Sequence, residues 1–231
     1  MKILYNLNFF NKKLFRGYFD SGKILLASGS PRRADVFNAM KIPYAQTNPE
    51  FNENIITGQF PHYSTHGLTK KKFFVFNAIH RILAAKWINR SIETLVLHKY
   101  FSVKDKWPGY LVFCFDTVVI SMGYLFGKPK DSEDAVKMLS FLSGKEQTVS
   151  TACLASDGAH CFIRRYDTFV RFRNLSMSEI REYVRDADVL DAAGSYKIQD
   201  TALSFVSTLR GSYHNIVGLP IEFISVCRGE I

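Results

Sequence analysis

Ile24-Leu25-Leu26-Ala27-Ser28-Gly29-Ser30-Pro31-Arg32-Arg33-Ala34-Asp35-Val36-Phe37 is the stretch on which the fold turns. Ile24 to Ala27 is a short apolar run that reads as a strand, and Ser28-Gly29 ends it. Ser30 then suits a helix N-cap, with Pro31 at the first helical position. Val36, Phe37 and Met40 fall on one face of the helix that follows. A buried strand feeding directly into an amphipathic helix is the opening of an α/β chain. The same placement puts Arg32 and Arg33 in the first helical turn, where the helix dipole disfavours cations by roughly a few tenths of a kcal/mol each. An anion held between them removes the conflict. Free N–H groups, the hydroxyls of Ser28 and Ser30, and two guanidiniums together describe a cradle for a triphosphate. Two exposed arginines on an ordinary helix are the plainer alternative.

Downstream, apolar strands and amphipathic helices alternate without an internal repeat or low-complexity segment. A longer helix is expected from about residue 65 to residue 89, where Phe76, Ile79, Leu83 and Trp87 recur at three- and four-residue steps. Residues 91 to 108 are polar and aromatic, end in the loop signal Trp107-Pro108-Gly109, and stand as an unassigned candidate insertion. Tyr110 to Ser121 reads as a buried strand that turns through Met122-Gly123 into Tyr124-Leu125-Phe126. Asp131 or Ser132 caps a helix with Glu133 and Asp134 in its first turn and Gly144 at its end. Strands over Gln147 to Ser156 and Cys161 to Arg173 flank an Asp157-Gly158 turn, and Ser176 to Val184 forms a capped helix.

A chain of 231 residues with 47% hydrophobic content can bury a core as one domain, which excludes a disordered protein. The longest apolar candidate, Tyr110 to Ile120, is interrupted by Asp116 and is far short of a bilayer span, so no membrane partner is expected. Cys114, Cys153, Cys161 and Cys227 sit singly, without metal-site or disulfide spacing, and read as reduced core thiols of a cytoplasmic protein. Residues 1–20 stand as an N-terminal extension and 21–231 as the domain. The first nineteen residues carry Lys2, Lys12, Lys13 and Arg16 without an acid, as a transit peptide would. Their many aromatics suit a folded or docked extension instead.

Charge is uneven: residues 1 to 110 hold 17 Lys and Arg against 6 Asp and Glu, whereas residues 111 to 231 hold 13 against 15. The basic half is the one expected to meet an anion, a polyphosphate or a nucleic acid. A nucleic-acid module ranks low, because Lys70 to Lys72 lie on the polar side of a helix with no stacking platform.

Asp116 stands in the middle of Leu-Val-Phe-Cys-Phe-Asp-Thr-Val-Val-Ile, where a carboxylate is costly to bury without a metal or a charged partner. A strand end opening into a cleft resolves this, and so does a structural hydrogen-bond network. Gly127-Lys128-Pro129-Lys130 can return a cation to the same end of the sheet. Carboxylate, divalent metal and lysine together are suited to hydrolysing a phosphoanhydride. Glu53 lies in a polar loop and by composition alone is a solvated acid. Gln199 offers a donor and an acceptor that can read a base edge.

In order, LLASGSPRRADVF, FDTVV, GKPKDSEDAVKMLSFLSG, FRNLSMSEIREYV, AGSYKIQD and GSYHNIVGLPIE resemble the Maf family, from about Ile24 to Ile221. The resemblance implies an elongated mixed α/β sheet with flanking helices, similar to inosine triphosphate pyrophosphatase. Its two lobes surround a deep cleft, and the family often forms homodimers. It implies a nucleoside triphosphate pyrophosphatase that yields a monophosphate and pyrophosphate. Asp116 takes the place of the catalytic proton acceptor or metal ligand, and Glu53 that of its acidic partner. Mg²⁺, or Mn²⁺, would be held by these two. Lys86 and Lys128 resemble the lysines that approach the phosphates. Arg32, Thr117 and Gln199 match positions linked to substrate choice in the branch acting on dTTP, UTP and modified pyrimidine triphosphates.

Some blocks depart from the family pattern. Its Asp-Glu pair is Asn52-Glu53 here, its ADT is Phe115-Asp116-Thr117, and its YAGAYGIQG is replaced within Asp191 to Asp200. The Gly-Ser and Lys of that last segment resemble the branch acting on 7-methyl-GTP, while Gln199 resembles the pyrimidine branch. A nucleotide-binding regulator of cell division with little turnover is the alternative from another class, since the family has been linked to septum formation. The expected partner is a nucleoside triphosphate in every reading but the nucleic-acid one.

Overall fold

The computed structural model describes residues 2–4, 14–50 and 92–231. In chain order its elements begin with β1 (Lys2–Leu4), α1 (Arg16–Ser21), β2 (Ile24–Ala27), α2 (Pro31–Ala39) and β3 (Ala45–Thr47). After a helix α3 over residues 92–103 come β4 (Leu111–Ser121), β5 (Tyr124–Phe126), α4 (Ser132–Leu142), β6 (Glu146–Ser156) and β7 (His160–Phe172). The chain closes with α5 (Met177–Asp186), β8 (Val206–Arg210), α6 (Tyr213–Val217) and α7 (Ile221–Arg228). Among the described residues no helix is long and apolar enough to cross a membrane.

Among the described residues, eight strands form one mixed sheet in the order β1-β7-β6-β4-β2-β3, with β5 added on β4 and β8 on β7. β2 runs parallel to β3 and β4, whereas β6 runs antiparallel to both of its neighbours, β4 and β7. β4 changes its partner partway along one edge. Its first half pairs with β2 as far as Cys114, which faces Ala27, and β5 joins only at Val119. Between them, Phe115 to Val118 have β6 on one side and an opening on the other. Such a switch of neighbours beyond the end of a strand is where open α/β sheets form their crevice.

Alternation along β4 sends successive side chains to opposite faces. Val112, Cys114 and Val118 meet α3 through Ile92, Val96, Tyr100 and Val103. Phe113 and Phe115 meet Phe37 of α2 and Phe223 of α7 on the other face, with Phe115 and Phe223 edge-to-face at 6.1 Å. Farther along, Val119, Val149 and Val170 pack under α4 and α5 with Phe126, Phe172 and Tyr183. The long strands β4, β6 and β7 therefore carry two packed lobes, as the resemblance implies. The core lies on both faces of the β2 end and under α4 and α5 at the other.

Most expected elements form with shifts of a residue or so. α4 is capped by Asp131, which accepts from Asp134 N at 2.8 Å, and Gly144 follows the last turn at φ +70°. α5 begins in a capping box between Ser176 and Glu179. Residues 92–103, unassigned from sequence, build α3 into the core, and a short 3-10 turn follows at Lys104–Lys106. The extension also packs inward: Phe15 is fully buried and Leu14, Tyr18 and Phe19 lie against α2 and α7. The helix expected over 65–89, with Lys70 to Lys72, falls outside the described residues.

Candidate functional site

β2 stops at Ala27, and the chain crosses the opening beside β4 before α2 begins. Ser30 has the extended backbone of an N-cap and Pro31 follows at the first helical position, but the Ser30 hydroxyl does not cap the helix. Ser28 takes over locally: its Oγ accepts from Ser30 N at 3.2 Å. The unsatisfied N–H groups of the first turn are thus left toward the opening, the arrangement that favours an anion.

The two arginines divide the work. Arg33 donates from Nε to Gly218 O at 2.8 Å, from Nη1 to Ser28 Oγ at 3.1 Å and from Nη2 to Thr117 Oγ1 at 3.1 Å. Its guanidinium also lies over the Phe115 ring at 5.9 Å. It ties β2, β4 and the loop before α7 into one wall, a use that sequence reasoning, which placed it on the phosphates, did not anticipate. Arg32 donates only Nη2 to Asp191 O at 3.2 Å, and its buried Nε has no acceptor among the described residues. Of the two arginines, Arg32 keeps more of its donors for an anion.

Thr117 transmits this wall into the sheet. Thr151 Oγ1 gives its proton to Asn215 O at 3.1 Å, so across the 3.0 Å contact Thr117 donates to Thr151. Thr117 is then the acceptor for Arg33. Asn215 is fully buried and donates from Nδ2 to Val149 O at 3.0 Å and Thr168 Oγ1 at 2.9 Å. Gly218 completes the corner at φ +100°, where an added Cβ would come within 3.1 Å of Thr117 Oγ1. Only glycine fits that left-handed, crowded position without strain.

Asp116 opens on the other face of β4 and receives the Lys99 ammonium on Oδ1; both side chains are almost wholly buried. Lys99 belongs to α3, and sequence reasoning missed it. The signal was present, since Ile92, Val96, Lys99, Tyr100 and Val103 fall at three- and four-residue steps on one helical face.

Ser28, Ser30, Arg32, Arg33, Asp116, Thr117, Lys128 and Gln199 all line one cavity of about 750 Å³. Lys99, Lys130, Lys197, Asp134 and Asp191 join them, giving six cationic against three acidic side chains on its wall. Lys128 is exposed and makes no hydrogen bond or ion pair with the described residues. Gln199 is also exposed. Glu53 and Lys86 lie outside the described residues. A surplus of cations around one lysine-held carboxylate selects a polyanion rather than an apolar ligand.

The fold and the cleft thus define a mixed α/β protein with a cation-lined cavity around a buried carboxylate. The chain belongs to the Maf family: the model for Maf-like proteins matches residues 23–226. A dTTP/UTP pyrophosphatase of Ruminiclostridium cellulolyticum is 36% identical over 201 residues, 86% of this chain and 91% of that protein. Another protein of that name, from Syntrophomonas wolfei, is 35% identical over 199 residues, 85% of this chain and 91% of its own length. A third, from Symbiobacterium thermophilum, is 32% identical over 200 residues, covering 87% and 89%.

Proposed function

We propose that this chain is a nucleoside triphosphate pyrophosphatase that hydrolyses dTTP and UTP to the monophosphate and pyrophosphate. The observation that carries the reading is the placement of Asp116, held by Lys99, in the same cavity as Arg32, the α2 N-terminus and Lys128. The names of the similar proteins agree with it.

Arg32, the free N–H groups of α2 and Lys128 hold the triphosphate with its α-phosphorus toward β4. Lys99 fixes one oxygen of Asp116, and the other orients a water and takes its proton. The water oxygen bonds to the α-phosphorus, the bond to the bridging oxygen breaks, and pyrophosphate leaves with the electron pair. Arg33 touches protein rather than substrate and keeps β2, β4 and the Gly218 corner in register.

A divalent cation, Mg²⁺ or Mn²⁺, fits a site of one carboxylate and several phosphate oxygens. No group of three His, Cys, Asp or Glu forms a ready-made cage among the described residues. Asp116 would be a ligand for such an ion, and Glu53 a second. When bound, it neutralises phosphate charge and polarises the reacting phosphoryl group.

The test is turnover of dTTP, UTP, 7-methyl-GTP and the canonical purine triphosphates by the wild type and by Asp116→Asn. Pyrophosphate release is expected from dTTP and UTP first, with Asp116→Asn reduced at least about a thousandfold. Normal turnover by Asp116→Asn, or preference for 7-methyl-GTP, overturns the assignment.

A further inference from the structure

Arg32, the arginine with donors to spare, lies beside an acid. Its Nη2 is 3.6 Å from Asp191 Oδ2, and the same residue's backbone carbonyl is its acceptor. A bare carboxylate at that point would repel the phosphates that Arg32 is placed to receive, and more strongly in a cleft than in open water. Lys197 answers it. Its ammonium lies 2.8 Å from Asp191 Oδ1, an ion pair rather than a well-aligned hydrogen bond, and 3.0 Å from Asp188 Oδ2.

The position of that ammonium is built by the backbone. Gly194 and Ser195 both adopt left-handed conformations, at φ +72° and +65°, and turn the chain sharply before Lys197. Gly194 N donates to Gly127 O at 3.0 Å, tying this turn to the loop that carries Lys128. Lys197 N donates to the Tyr183 hydroxyl at 3.0 Å. The lysine side chain is 14% exposed, whereas those of Asp191 and Asp188 are 39% and 77% exposed. A lysine so enclosed at a cavity wall is an ordered part of it, not a solvated tail. Partial burial penalises the charged Asp191, but the positive charges of Lys197, Arg32 and, without contact, Lys128 outweigh this and hold its carboxyl below the usual aspartate range.

We infer that Lys197 is a positioning residue for anion binding: it neutralises Asp191, so that Arg32 can be held at the cleft wall without a net negative charge facing the phosphates. The inference rests on the reading of the cleft as a triphosphate site. Lys197 acts through Asp191 and does not touch the reacting atoms. The order Arg32, Asp191, Lys197, Asp188 alternates in sign and is neutral before the ligand arrives, leaving the α2 N-terminus and Lys128 as uncompensated attraction.

The experiment is calorimetric titration of the full chain with inorganic tripolyphosphate at low salt. Lys197→Met keeps the apolar stem and removes the charge; it is expected to weaken binding about tenfold. Lys197→Arg and the double variant Lys197→Met/Asp191→Asn are expected to return to within about threefold of wild type. Unchanged affinity in Lys197→Met overturns the inference. So does a loss that Asp191→Asn leaves unrepaired, which a purely structural role in the loop would produce, or a wild type that does not bind tripolyphosphate. If Lys197→Met fails to fold, Asp191→Asn alone decides: with Lys197 present, binding is expected to tighten about threefold or more, and equal or weaker binding overturns the inference. Pyrophosphate release from dTTP is recorded in parallel. Its absence from a wild type that binds tripolyphosphate would sink the proposed function and leave the anion-site comparison standing.

Discussion

Lys99 of α3 donates its ammonium to Asp116 Oδ1, joining a core helix to the middle of β4 across 17 positions of sequence. Neither charge is left alone in the wall of the cleft. Lys99→Met should therefore do two separable things. Asp116 loses its partner, at a cost of about 2 kcal/mol, less than in a sealed interior because the cavity reaches it. Turnover should fall at least about a hundredfold. Lys99→Met/Asp116→Asn should regain most of the stability and none of the activity. Urea unfolding and pyrophosphate release, run on the wild type and these two variants, separate the effects.

Arg32 and Arg33 are neighbours with different work, and conservative exchange should expose this. Arg33→Lys cannot satisfy Gly218 O, Ser28 Oγ and Thr117 Oγ1 together. It should destabilise the chain by about 2 kcal/mol, read by urea unfolding. Arg32→Lys should change stability by less than about 0.5 kcal/mol while raising KM about tenfold.

Much of this site was legible because its signals are local. SGSPRR places two arginines at a helix start by cap chemistry alone, and Asp116 is conspicuous as a charge inside an apolar run. The alternating strands after Tyr110 are equally local. What could not be read is what depends on tertiary pairing. Arg32 and Arg33 look identical until Gly218, Thr117 and Asp191 arrive from 84 to 185 residues away. Lys99 was hidden because residues 91–108 look polar, although their apolar side chains fall on one helical stripe against β4. Asp191 and Lys197 stand six positions apart with nothing in the sequence to pair them, and the left-handed turn at Gly194 and Ser195 lies between them in the folded chain.

Gly218→Ala tests the corner that Arg33 closes. The substitution combines a left-handed φ of +100° with a 3.1 Å approach to Thr117 Oγ1. A loss of about 1–2 kcal/mol is expected, or roughly 3–6 °C in Tm for a domain of this size. An unchanged melting temperature would contradict the strain assigned to this corner.

The capping box of α5 should show in acid. The Arg173 side chain, with the Ser176 backbone and hydroxyl, holds Glu179 at about 2, below its ordinary 4.5. Because the folded value is the lower one, the stabilisation is present above about pH 4.5 and is lost as pH falls toward about 2. Glu179→Gln should flatten that part of the acid-unfolding profile.

Cys114, Cys153, Cys161 and Cys227 are buried free thiols, and burial pushes all four up, Cys161 to about 12. Native protein should therefore resist a thiol-specific reagent at pH 8, with all four labelled only after unfolding. Rapid labelling of folded protein would contradict the packing on both faces of the sheet.

The central claim is that Asp116 delivers water to the α-phosphorus of a nucleotide held by Arg32, Lys128 and the α2 N-terminus. Turnover of dTTP in ¹⁸O-labelled water, with the products separated by mass, addresses it directly. The expected result is label in the thymidine monophosphate and unlabelled pyrophosphate. Label in inorganic phosphate or in pyrophosphate would place the attack elsewhere and contradict the account.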